Sequence, residues 1–224
     1  MLELPKSTEL NKRIPKQKFY ENLQISPALR KSFVEQIHSI VWKNKIAPST
    51  INLAAGHYVD ELQVFGIQLS SDTLDESVLK QIDRDIPYHI LFILEFKGKE
   101  QAWIGYKEEA ESGTSSFKVN RYYHTDWMNP EDQLLKLDGL DMDSAYENLV
   151  RQIAGDMLGS DNAETLHISY ERSVQREKLL KQIAMLEKKA WNEKQPRRKI
   201  VILHELSDLK AQLKEVNRSG QPSD

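Results

Sequence analysis

The chain reads as an α+β (α/β) fold, in which a mixed, mostly antiparallel sheet of about five strands is packed by helices and followed by an antiparallel helical hairpin. Three observations predict it. Residues 88–96 are almost continuously apolar (Ile90, Leu91, Phe92, Ile93, Leu94), the pattern of a strand buried on both faces at the centre of a sheet. Segments around it alternate with a period of two, while residues 75–86 and 143–158 carry apolar residues at helical spacing. Near the C-terminus, Leu179, Ile183, Leu186 and Ala190, then Ile202, Leu206, Leu209, Leu213 and Val216, recur in steps of three and four, each set on one helix face.

In chain order, residues 7–21 are polar and basic, with Pro5 and Pro15 limiting regular structure, so an extended arm over the body is expected. Ser26-Pro27 opens a helix, hydroxyl as cap and proline at the first helical position. Leu29, Phe33, Ile37, Ile40 and Val41 share its face, and Pro48 bounds it. Residues 50–53 and 61–69 read as strands. A helix over 75–86 uses Val78, Leu79 and Ile82 and ends at Pro87. After the central strand, Lys97-Gly98-Lys99 turns into a strand over 101–107, where Ala102, Ile104 and Tyr106 alternate with Trp103. A Ser- and Gly-rich loop over 111–116 leads to a strand at 117–125, and a helix over 143–158 starts with Asp143 as cap. The predicted divisions are an arm at 1–24, a body at 25–160, a hairpin at 161–218 and a disordered tail at 219–224.

Pro196 cannot continue the first hairpin helix, so the chain turns at Asn192-Glu193-Lys194-Gln195-Pro196. Arg197, Arg198 and Lys199 then begin the second helix at the end where its dipole disfavours cations. Residues 171–218 hold 13 Lys and Arg against 7 Asp and Glu, whereas residues 1–170 hold 18 against 26. Solvated helices are often this basic. The functional reading is a cationic tip, with Lys188, Lys189, Lys194, Arg197, Arg198 and Lys199 meeting a nucleic-acid backbone or an acidic partner. Only Trp191 is aromatic in residues 171–218, so base stacking is not expected there.

Composition bounds the chemistry. The absence of cysteine among 224 residues removes disulfides, thiolate metal sites and thiol nucleophiles. No apolar stretch approaches a membrane span or a secretory h-region, so a cytoplasmic protein is expected. A net charge of −3 argues against indiscriminate DNA binding by the whole chain. No phosphate-binding glycine loop, nucleophile elbow or dinucleotide fingerprint appears, and no cofactor is expected.

The one enzyme-like spacing is Glu95-Phe96-Lys97, which resembles the Glu-x-Lys half of a Mg²⁺-dependent nuclease site. Strand alternation would point both side chains the same way, and Asp60 or Glu61 would supply the second carboxylate if their strand pairs alongside. The plain alternative is a strand leaving the core with charged ends. His124-Thr125-Asp126-Trp127 is reactive-looking, yet a strand-end cap with a rim tryptophan accounts for it. Trp103, Tyr106, Tyr122, Tyr123 and Trp127 fall on adjacent strands, either as sheet packing or as a docking face.

Asn11-Lys12-Arg13-Ile14-Pro15-Lys16-Gln17-Lys18-Phe19-Tyr20, the helix after Ser26, Asn44-Lys45-Ile46-Ala47, Ile86-Pro87-Tyr88-His89-Ile90-Leu91-Phe92 and Ala102-Trp103-Ile104-Gly105-Tyr106-Lys107 resemble the bacterial family called domain of unknown function 4391. The resemblance extends through Glu193-Lys194-Gln195 and Arg197-Arg198-Lys199. It implies a place beside helicases and DNA methyltransferases in restriction or phage-defence clusters, and it transfers no catalytic residue. The expected function is a non-catalytic accessory subunit working with a helicase or a DNA methyltransferase, with DNA-backbone contact through the hairpin. The alternatives are the Glu95/Lys97 nuclease and a homodimeric scaffold formed through exposed Leu166, Ile168 or Leu203.

Overall fold

A computed structural model describes residues 2–21, 25–109, 117–132, 135–159 and 164–218. The chain divides into two units, Met1–Ala154 and Gly155–Asp224. The loop expected at 111–116 and the tail at 219–224 lie outside the described residues.

The first unit is built on six strands, β1 (Glu9–Ile14), β2 (Ile37–Ile46), β3 (Leu62–Leu69), β4 (His89–Phe96), β5 (Lys99–Glu109) and β6 (Phe117–His124), arranged in the order of the sequence. Only β3 and β4 run parallel. A parallel pair needs a crossover, and α2 (Glu76–Asp85) supplies it, capped by the Asp75 carboxylate on the Ser77 amide. The mixed sheet, its helices and the helical pair are those the sequence predicts, with six strands in place of about five.

Two of the six lie outside the predicted strands: β2, and β1, which is drawn from the segment read as an arm. Strand β1 pairs with β2 at the sheet edge, and beyond it the Lys16 ammonium donates to the carbonyls of Val34 (3.0 Å) and Ile37 (2.6 Å). Those carbonyls close α1 (Pro27–Gln36), where a cation is favoured by the free acceptors and the dipole.

Helix α1 begins as expected, the Ser26 hydroxyl accepting from the Leu29 amide (3.2 Å) with Pro27 at the first position. It ends at Gln36, well short of Val41. Ile37 and Ile40 are three residues apart and both buried, which imitates helical spacing. A bulge in the β2–β3 register between Ile37 and Ser39 places both on the core face of a strand instead. Residues 50–53 are likewise no strand. The Thr50 hydroxyl accepts from the Ala47 amide (3.0 Å) and closes a turn after β2.

One core face gathers Phe33, Ile37, Ile40, Phe65, Ile67, Leu79, Ile82, Phe92 and Leu94 under α1 and α2. Leu91 and Ile104, paired across β4 and β5 and fully buried, point to the opposite face. Helix α3 (Met142–Ala154) lies against β5 and β6 and buries Ala145, Tyr146, Leu149 and Val150. It stops at Ala154 because Gly155 adopts φ +51°, the left-handed conformation that ends helices. Asp141 caps it by accepting from the Ser144 amide (2.8 Å). Asp143, the expected cap, instead accepts from the amides of His57 (2.6 Å), Tyr58 (3.2 Å) and Val59 (2.8 Å), pinning the loop before β3.

The second unit contains α4 (Leu166–Asn192), capped by Thr165, and α5 (Pro196–Arg218), opened by Pro196. Leu186 and Ala190 meet Ile202 and Leu206 near the turn, with Leu209 against them. At the far end Arg176 shares a small cavity with Val216, so the pair is antiparallel. The Glu187–Lys210 ion pair (2.7 Å) ties the helices on one flank.

Candidate functional site

Glu95 occupies the last turn of sheet register before β4 ends at Phe96, and its carboxylate forms a 2.5 Å ion pair with Lys43 of β2, which crosses above Gly66 of β3. The approach requires glycine, since a Cβ on Gly66 would stand 2.4 Å from the Lys43 Cε. Lys97 and Gly98 form a two-residue hairpin with φ +47° and +79°, so strand alternation stops at Phe96 and no longer aligns Lys97 with Glu95. The Lys97 ammonium sits 5.2 Å from the Phe96 ring centroid. Both residues line a cleft of about 200 Å³ with Gln68, Leu69 and Pro130.

The second carboxylate of the nuclease reading is elsewhere. Strand β3 does pair beside β4, but in parallel register Gln68 faces Glu95 while Leu62 faces His89. Asp60 and Glu61 precede Leu62, and seven residues of strand separate Glu61 from the Glu95 level by about 23 Å. Glu61 is engaged with Lys45 (2.5 Å) and accepts from Gln63 (2.9 Å). Among the described residues no three His, Asp or Glu side chains converge as metal ligands. The structure therefore does not assemble Glu95, Lys97, Asp60 and Glu61.

His124 stacks on Trp103 with ring centroids 4.3 Å apart, and the Thr125 hydroxyl accepts from the Ala102 amide (3.1 Å). Trp127 meets the edge of Phe96. This cluster is a strand-end cap. Tyr106, Tyr122 and Tyr123 are buried, and Trp103 is half-buried, so sheet packing accounts for these rings.

Sequence reasoning missed a polar cluster inside the first unit. Lys107 of β5 and Asp83 of α2 form an ion pair (2.6 Å), the ammonium also donates to the Tyr88 carbonyl (2.6 Å), and the Tyr122 hydroxyl donates to Asp83. Gly105 leaves room for this, a Cβ there meeting the Tyr122 ring at 3.1 Å. The Tyr146 hydroxyl donates to the Gly105 carbonyl (2.7 Å) and accepts from the Lys107 amide (2.9 Å). His89 packs on Tyr146 and Phe117, and its Nε2 is buried without a hydrogen bond. Burial, then the Lys107 charge, depresses its pKa to about 3. Burial pushes the Asp83 carboxyl up against the pull of Lys107 and Tyr122. No local sequence signal marks this cluster, because α2 and β5 meet only in the folded chain.

The basic residues behave differently. Lys188, Lys189, Lys194, Arg197, Arg198 and Lys199 are all exposed around the three-residue linker between α4 and α5. None of the ion pairs among the described residues uses them. The one acid of the linker, Glu193, turns its carboxylate back onto the Gln195 amide (2.8 Å). Trp191, in the last turn of α4, is 86% exposed. Of the apolar residues read as a self-association surface, Ile168 and Leu203 are exposed, whereas Leu166 is buried.

No helix among the described residues is long and apolar enough to cross a membrane. A family profile spanning residues 2–213, described as Domain of unknown function (DUF4391), matches this chain, which therefore belongs to that family. No curated protein and no solved structure matches it.

Proposed function

We propose that this member of the family is a non-catalytic accessory subunit whose hairpin tip binds a nucleic-acid backbone, working in the cytoplasm beside a helicase or a DNA methyltransferase of a restriction or anti-phage complex. The observation that carries the reading is the set of six exposed cations around the α4–α5 linker, none of them in an ion pair among the described residues. Three of them, Arg197, Arg198 and Lys199, stand in the first turn of α5, where the helix dipole makes positive charge unfavourable. A phosphate at that end relieves the mutual repulsion and meets the free first-turn amides at once. Neutralising several phosphates also releases counterions, which gives the affinity a steep salt dependence.

The test is salt titration of binding to a labelled duplex. The native chain is expected to lose affinity with a log–log slope of about −0.9 per phosphate neutralised. The triple variant Arg197→Glu, Arg198→Glu, Lys199→Glu should bind at least about tenfold more weakly with a shallower slope, its circular dichroism unchanged. A variant with native affinity and native slope would remove the tip from the function.

A further inference from the structure

We infer that the hairpin tip prefers single-stranded over duplex nucleic acid, with Trp191 stacking on an unpaired base between phosphates held by the neighbouring cations. This rests on the polyanion reading above and names its substrate class. Every other Phe, Tyr and Trp of the chain is buried or half-buried, including the rings that the sequence offered as a docking face. Trp191 alone is left in solvent, 86% exposed, among the six tip cations that form no ion pair among the described residues.

Its flanks explain the pairing with a single strand. Lys188 precedes Trp191 by three residues, one helical turn back along α4, and Lys194 follows it by three within the linker. A strand laid across the tip would put one base on the indole and its two adjoining phosphates towards these cations. Base–aromatic stacking and a cationic groove are the two components of sequence-tolerant single-strand binding. In a duplex the base faces are already stacked, so the backbone engages the cations while the indole gains nothing. An array of interleaved aromatics is the signature of a long groove; a tip that grips one nucleotide needs one ring.

The experiment uses the full chain with a labelled oligothymidine of about twenty nucleotides and a duplex of matched length. The native chain should bind the single strand about tenfold more tightly and show quenched tryptophan emission. Trp191→Ala should bind both polymers with equal affinity, its duplex binding and salt slope near native, and Trp191→Phe should keep part of the preference. Equal native affinity for the two polymers, or a preference that survives Trp191→Ala, overturns the inference while leaving duplex binding to stand. Failure to bind either polymer overturns both readings. Quenching by vesicles containing phosphatidylserine, and not by the oligonucleotide, would assign Trp191 to an anionic lipid surface instead and overturn it as well. Because Trp191 is exposed, circular dichroism of the variants should match the native chain.

Discussion

The Lys107 ammonium and the Asp83 carboxylate lie 2.6 Å apart with side chains 2% and 1% exposed, joining β5 to α2 in the interior of the first unit. The Lys43–Glu95 pair is as close, at 2.5 Å, but its side chains are 32% and 37% exposed. Equal distances carry unequal consequences, because water screens one pair and has been stripped from the other.

Removing one partner of the buried pair leaves an uncompensated charge. Lys107→Met should destabilise the fold by about 3–5 kcal/mol, whereas the double variant Lys107→Met, Asp83→Asn should recover most of that loss. Urea unfolding midpoints of the three chains check this. A single variant within about 1 kcal/mol of native would show that Asp83 is held uncharged without Lys107.

The exposed pair predicts the opposite scale. Glu95→Gln should change stability by less than about 1 kcal/mol. Gly66→Ala pushes against the far end of the Lys43 side chain, which can swing away, so it should break the Glu95 contact at similarly small cost. A large loss in either variant, read from thermal midpoints, would mean that the pair organises β2, β3 and β4.

His89 makes stability depend on pH. Its folded pKa, about 3, lies below the unfolded value of about 6.5, so on acidification the unfolded chain binds a proton that the folded chain excludes. The His89 contribution is therefore full above pH 6.5 and is lost as pH falls towards 3, at about 1.4 kcal/mol per unit. Between pH 7 and pH 5 the native chain should lose about 2 kcal/mol from this source. His89→Leu should flatten that segment of the profile. Parallel native and variant profiles would show that His89 protonates without opening the fold.

Asp143 accepts from three successive loop amides, so Asp143→Ala should cost about 1–3 kcal/mol, chiefly by leaving the part-buried Tyr58 and Val59 amides without their acceptor. Gly56→Ala should be destabilising for the same loop, because its Cβ would meet the Asp143 carboxylate at 2.2 Å and the Val59 carbonyl at 2.7 Å. Hydrogen exchange of the Tyr58 and Val59 amides checks both variants. Protection equal to native in Asp143→Ala would mean that other contacts hold the loop.

Where the physics is local, the sequence was readable. Ser26-Pro27 opened α1 and Lys97-Gly98 turned β4 into β5, because each acts on residues within a few positions of itself. The Ile37 and Ile40 spacing misled, since a bulge in a strand places residues three apart on one face as a helix does. Asp143 was read as the cap of the helix it opens, and only the folded loop reveals that Asp141 takes that place while Asp143 faces the loop amides.

The candidate site divides along the same line. Periodic leucines and isoleucines and one proline were enough to specify a hairpin with cations at its tip, since helix geometry converts spacing directly into faces. Spacing has no comparable rule for strands distant in sequence. That Glu61 lies a strand's length from Glu95, that Lys107 finds Asp83, and that Trp191 is the one ring left in solvent were decided by register, crossover and packing, which depend on contacts between segments far apart in the chain.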